Sequence, residues 1–417
     1  MNTDNKNNHL QMSLAKRINQ LKDRNFALYL ISIFLGSLGG GLSYIVLAWS
    51  VSGFHQGILP VVILILCFWL PSVLLGPLAG VVIDFVKHRS RILSLVLAVR
   101  AVLYLSFFLF CWLTGQPSYF NWWCYGLALV SGICMVFYSP TMTRYTREII
   151  PHHELIYANT SVDMAYEFGN VIGMGLAGIL IAVVGPAFAV GVIGLFFGLA
   201  GICFLWTKPG KFRQPPEISQ GFVKNFLVAM QYLKTHQDLL IMAGVQAMML
   251  MIIMVTPVLL APFAREVLHA SSIQFGDLEV SLSGGMVLTA ILLPFLVERF
   301  GFKKVLMIQL SLLFVVFLAF SGNTNIEIAG VLYFLMGLSF SCWPLLITEI
   351  QNQTPQKYQG RIQSTLNSLT AIGVLIVYFL LDAMGHFVSL EKIYWVESAF
   401  VLICMALLFF YRKISKD

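Results

Sequence analysis

The chain has 417 residues, 58% of them hydrophobic and only 11% charged, and a formal net charge of +7. A soluble domain carries about 25% charged residues, so this composition excludes a water-soluble enzyme that folds its apolar surface into a single core. The basic balance raises nucleic acid as a partner, but the placement of the charges assigns them to a lipid bilayer instead.

Residues 1–25 are polar and basic and form an N-terminal segment. No short apolar region with a small-residue cleavage site follows, so the first apolar run reads as a retained helix rather than a signal peptide. Apolar runs then fall at 26–51, 58–83, 92–113, 122–147, 158–183, 186–206, 239–263, 275–298, 303–321, 326–350, 360–383 and 391–413. A bilayer core takes ~20 helical residues to cross. Each run is predicted helical because a helix satisfies its own backbone hydrogen bonds in lipid. The fold class is therefore all-α, a polytopic membrane protein with twelve transmembrane helices. Its expected divisions are a six-helix bundle over 26–206, a polar linker over 207–238, a second six-helix bundle over 239–413 and a tail over 414–417.

The loops orient these spans. Of the 26 Lys and Arg, only Arg265 and Lys392 fall on one side of this topology, while Arg100 lies within a span. All the others gather on the side shared by both termini and the 207–238 linker. That bias predicts both termini in the cytoplasm and a place in the cytoplasmic (inner) membrane. Within the linker, Phe222, Phe226, Ala229 and Leu233 recur at helical spacing, while Lys224, Asn225, Gln231 and Lys234 fall elsewhere on the wheel. This describes an amphipathic helix, either on the membrane interface or packed against the bundle. The seven cysteines all lie in apolar runs without CxxC or zinc spacing, so neither a disulfide framework nor a metal site is expected.

The loop after the second run reads Gly80-Val-Val-Ile-Asp84-Phe-Val-Lys87-His88-Arg89-Ser-Arg91. It resembles the signature loop of the major facilitator superfamily: a glycine, an aspartate four residues on, then a basic turn. The loop after the eighth run, Pro294 to Lys304, looks like a degenerate copy at the matching place of the second half. It departs by carrying Glu298 for aspartate but keeps Arg299 and Gly301, whereas the first copy has Phe85 and Lys87 where the family has a basic residue and glycine. Two six-helix halves with copied loops are what that family's parallel repeat implies. A finer pattern, Glu148-Ile-Ile-Pro151, Ala158-Asn159, Gly169, Gly173, Pro355 and Gly360-Arg361, together with Arg100, is similar to the siderophore and multidrug exporter branch.

The resemblance implies gating by Asp84, Lys87, Arg89 and Arg91, with Arg144 as a basic group near Asp84. In the second half it implies the same for Glu298 and Arg299, and for Glu349 with Arg361, although a plain surface pair is the preferred reading of those last two. It also implies that helices one, four, seven and ten line a central cavity. Their polar and aromatic residues, Tyr44, Trp49, Tyr138, Gln246 and Trp343, are then the substrate-binding candidates, and they suit a ligand of mixed polarity.

Charges within spans need a reason, since one at mid-bilayer costs ~2.5–3.5 kcal/mol on insertion scales. Arg100 and Glu167 lie at similar depths, ~12 and ~13 Å from the cytoplasmic ends of their spans. Asn159, Asp163, Glu167 and Asn170 share one helical face by spacing. An Arg100–Glu167 pair, with Asp163 nearby, would couple transport to protons, while static ion pairs remain the alternative for Asp163 and Arg144. Glu397 reads as a carboxylate snorkelling to the outer surface.

Gly173-Met-Gly175-Leu-Ala-Gly178 matches the dinucleotide fingerprint, but it lies inside a span with no preceding strand. Close helix packing explains it better. No nucleophile–base pair, P-loop or nucleotide-binding domain is legible, so neither an enzyme nor a cofactor is expected. The expected function is alternating-access export, driven by protons, of a siderophore-like or amphipathic small molecule by a monomer. An uptake carrier or lysolipid flippase of the same fold remains open, as does a non-transporting receptor or membrane enzyme.

Overall fold

The computed structural model describes residues 22–53, 58–85, 88–115, 120–151, 155–208, 222–355 and 362–410, apart from 364, 367–368, 371, 379 and 381–388. Helices account for nearly all of them: α1 (Arg24–Ser52), α2 (Leu59–Phe85), α3 (Arg89–Thr114), α4 (Phe120–Ile149), α5 (Leu155–Leu205), α6 (Phe222–Thr235), α7 (Gln237–Glu266), α8 (Ser272–Phe300), α9 (Phe302–Phe320), α10 (Ile326–Phe340), α11 (Cys342–Gln353) and α12 (Leu390–Phe410). The segment 362–380 is helical wherever it is described. Among the described residues, nine helices are long and apolar enough to cross a membrane.

Every predicted span overlaps one of these helices except 360–383, which falls on the helical 362–380 segment. The fifth and sixth share α5, which breaks at Gly185, where φ is 80° and ψ 164°. Only glycine adopts that backbone readily, and Pro186 then starts the second arm from the position where a missing N–H costs nothing. The tenth span is divided between α10 and α11 by a turn at Ser341.

The chain divides into two compact units, residues 1–50 with 64–217, and residues 51–63 with 218–417. Helices in lipid gain little from hydrophobic association and pack instead through van der Waals contact and small residues. In the first unit a Cβ on Gly169 would collide with Ser37 Oγ and Phe34 O, and one on Gly173 with Leu38 O. Gly169, and Gly173 at the head of the fingerprint-like stretch, thus bring α5 onto the backbone of α1.

Buried hydroxyls fasten the rest of this unit. Tyr29 Oη lies 2.7 Å from Thr146 Oγ1 and donates to Met142 O at 3.1 Å. Tyr145 donates to Lys208 O at 2.7 Å, and the Lys208 N–H donates to Asn25 Oδ1 at 2.6 Å. These bonds tie the start of α1, the end of α4 and the end of α5 together. Further along, Tyr104 Oη lies 2.6 Å from Ser43 Oγ and 3.1 Å from Ser131 Oγ, joining α1, α3 and α4.

In the second unit Tyr394 of α12 packs against Phe263 of α7 and Phe320 of α9, with ring centroids 5.2 and 4.8 Å away. Tyr378 donates to Met254 O at 2.8 Å, which fastens the 362–380 segment to α7. A capping box of Ser271 and Gln274 starts α8, and Asn325 caps α10. The predicted linker helix is α6. Its Ala229 and Leu233 are buried, while Leu227 and Lys234 are exposed. The side chains of Phe222, Lys224, Asn225 and Phe226 lie outside the described residues.

Candidate functional site

The start of α3 and the end of α4 meet in a buried charge pair. Arg89 stands in the first turn of α3 and Glu148 in the last turn of α4, and the guanidinium donates from Nη1 to Glu148 Oε1. Their side chains are 7% and 8% exposed. Arg144 lies half-buried one turn before Glu148, and Arg91 and Arg147 are exposed. Asp84 falls in the last turn of α2, with its side chain outside the described residues, as is all of Lys87. Sequence reasoning placed Arg89 in the basic turn but named no partner for it. In the sequence Glu148 stands out only as part of a family-like segment, because its partner Arg89 lies on another helix.

Arg100 is buried in the same unit, 6% exposed. Its guanidinium carbon lies 3.7 Å from the centroid of the Phe197 ring, and Nη1 reaches Met135 Sδ at 4.0 Å. Tyr104, Cys134, Tyr138 and Tyr166 lie within its electrostatic reach. The expected Arg100–Glu167 ion pair is not formed. A cation seated on an aromatic face is held by the ring quadrupole, and in this chain the ring takes the place expected for the carboxylate. Glu167 is exposed on α5, as are Asn159 and Asp163, while Asn170 is half-buried against Gly41.

In the second unit Glu298 and Arg299 are exposed in the last turn of α8, which stops at Gly301 with φ 81°. The Arg299 guanidinium lies 5.5 Å from the centroid of the Phe300 ring. Glu349 is buried on α11 and accepts from Gln353 Nε2 at 2.9 Å. Arg361 lies outside the described residues.

Glu397 corrects a second expectation. It does not snorkel: it is 4% exposed, and its Oε1 lies 3.3 Å from Thr256 Oγ1. This contact is not legible in the sequence, because the partner comes from α7, far away along the chain.

Of the five substrate-contact candidates, Tyr44, Trp49 and Tyr138 belong to the first unit and Gln246 and Trp343 to the second. Tyr44, Trp49 and Trp343 are half-buried. Tyr138 is buried beside Gly36, with its ring centroid 6.4 Å from that of Phe204. Gln246 is 1% exposed, and neither of its amide atoms has a hydrogen-bond partner among the described residues.

Against known proteins, a family model described as "transmembrane secretion effector" matches residues 16–415. The chain belongs to this family. It is a membrane transporter with the major facilitator fold. Among solved structures, a mutant of the nucleoside transporter NupG superposes with a TM-score of 0.72 at 12% identity, covering 94% of this chain and 100% of that one. A D-xylose–proton symporter gives a TM-score of 0.67 at 13% identity, over 94% and 99% of the two chains. A bacterial homologue of the iron transporter ferroportin, in an inward-facing state, gives 0.64 at 16% identity, over 94% and 99%. At such identities the likeness carries the fold alone. No curated protein matches this secretion-effector chain in sequence.

Proposed function

We propose that the protein is a proton-coupled exporter that moves a siderophore-like or amphipathic small molecule outward by alternating access. The observation that carries this reading is the family match along residues 16–415, whose description is one of secretion. Exposed carboxylates within a span support the coupling. Asp163 and Glu167 lie on a single α5 face, one turn apart, and neither is buried. A carboxylate facing hydrocarbon is costly, and intramembrane carboxylates mark water-filled paths and proton relays. Glu167 is the first candidate to carry the proton and Asp163 the second.

The buried Arg89–Glu148 pair supports gating at the ends of α3 and α4. Asp84, Lys87, Arg91, Arg144, Glu298, Arg299, Glu349 and Arg361 extend the proposed gating set, and Tyr44, Trp49, Tyr138, Gln246 and Trp343 the proposed substrate contacts. The protein works as a monomer in the inner membrane, with both termini cytoplasmic.

Everted vesicles carrying the protein, acidified inside and loaded with a pH-sensitive dye, test this reading. Adding members of a panel of iron chelators and amphipathic dyes should dissipate the gradient in wild type for at least one compound. Vesicles carrying Glu167→Gln should not respond. If no compound moves protons while labelled compound still crosses, transport is not proton-coupled.

A further inference from the structure

Glu397 stands seven residues into α12, ~10 Å along the helix axis from its start. It lines a small apolar cavity with Ile252, Val255, Ile393, Val396 and Phe400. An ionised carboxylate in such surroundings needs several donors to hold it. Among the described residues Thr256 is the one donor in reach, at 3.3 Å from Oε1, and Oε2 has no hydrogen-bond partner.

The same threonine hydroxyl lies 2.9 Å from the Ile252 carbonyl. A hydroxyl has one proton and two lone pairs, so Thr256 cannot donate to both oxygens. If it donates along the shorter contact, to the carbonyl, the proton in the longer one must come from Glu397. A carboxylic acid satisfies both contacts, and its second oxygen is then neutral, which the apolar wall tolerates.

Among the described residues, no cation acts as a counter-charge to Glu397. Tyr394 on the same helix lies within electrostatic reach of Glu397 and also of Glu279 on α8, and none of these is a cation. From the 362–380 segment, Tyr378 gives its hydroxyl to Met254 O. On α7, Arg265 lies nine residues beyond Thr256, ~13 Å along the axis. On α9, Lys303 and Lys304 are exposed in the first turn, and Lys392 of α12 is exposed as well. A metal cation would require more oxygens than Glu397 and Thr256 supply.

We propose that Glu397 is a proton-binding site, separate from the α5 carboxylates and protonated in this conformation. When it ionises, its proton passes to water entering the cavity. The Thr256 hydroxyl then turns from Ile252 O to the carboxylate. Pro257 follows Thr256 and has no N–H to offer Ile253 O, so this turn of α7 is short of hydrogen bonds and responds to losing another. Proton occupancy at Glu397 thereby sets the local shape of α7.

Infrared difference spectra of the full-length protein in lipid, between acidic and alkaline buffer, test this. Wild type should show the C=O band of a buried carboxylic acid, lost in alkaline buffer. Glu397→Gln should lose that band, and Glu279→Gln should keep it. Thr256→Val keeps the shape but removes the hydroxyl, and should move the band to higher frequency. An unchanged band in Glu397→Gln, an unmoved band in Thr256→Val, or removal of the band by sodium at fixed pH would each overturn the proposal. If Glu397→Gln does not reach the membrane, the Thr256→Val shift decides alone.

Discussion

Arg89 and Glu148 form a buried ion pair that closes the start of α3 onto the end of α4. Both side chains are nearly withdrawn from water, so removing either one takes a close opposite charge away from the other. Removing one partner of a buried pair costs ~3–5 kcal/mol. Arg89→Gln and Glu148→Gln should each lower the melting temperature in detergent, and the double variant should recover much of the loss. If the double variant loses the sum of the two single losses, the residues are not energetic partners.

Arg100 rests on Phe197 rather than on a carboxylate. Phe197→Leu should therefore destabilise the first unit, in part by removing a cation–π contact of ~0.5–2 kcal/mol. Glu167→Gln should leave folded yield at the wild-type level while abolishing proton-driven transport. A fall in yield as large as that of Arg100→Gln would restore the discarded ion pair. Normal uphill transport would move the proton-carrier role to Asp163.

Gly173 holds α5 against the backbone of α1, where a Cβ would meet Leu38 O. Overpacking of this kind costs ~1–3 kcal/mol. Gly173→Ala should lower thermal stability, whereas Gly126→Ala should not, since nothing lies within 4 Å of a Cβ there. Equal melting of the two variants would count against close α1–α5 packing.

Asp84 ends α2 beside the basic turn. Asp84→Asn keeps the shape and removes the charge, so expression should hold while turnover falls. The measurement is the initial rate per folded molecule, and an unchanged rate would remove Asp84 from the gate.

Orientation is open to chemical labelling. A cysteine placed at Gln220, in a background without the seven native cysteines, should react with an impermeant thiol reagent only from the cytoplasmic side. Reaction from outside in intact cells would invert the topology.

The chain's order alone determined where the helices lie. Span length and hydropathy are local properties, and lipid leaves a lone segment little choice but a helix, so α1, α3, α7, α9 and α12 were legible run by run. So were the Gly185-Pro186 break in α5 and the stop at Gly301, because each depends on the backbone freedom of one residue. The shared α5 face of Asp163 and Glu167 was legible for the same reason, since helical spacing decides it. Side-chain partners were decided elsewhere. Arg100 and Glu167 sit at matching depths, yet the rotation of each helix, set by glycine contacts such as Gly169 on α1, points Arg100 at Phe197 and leaves Glu167 exposed. Glu397 looked like a surface charge near a helix end until α7 brought Thr256 against it. Depth along a helix follows from counting residues, but the direction a side chain faces follows from packing against helices far away in the chain, and only the tertiary structure supplies that.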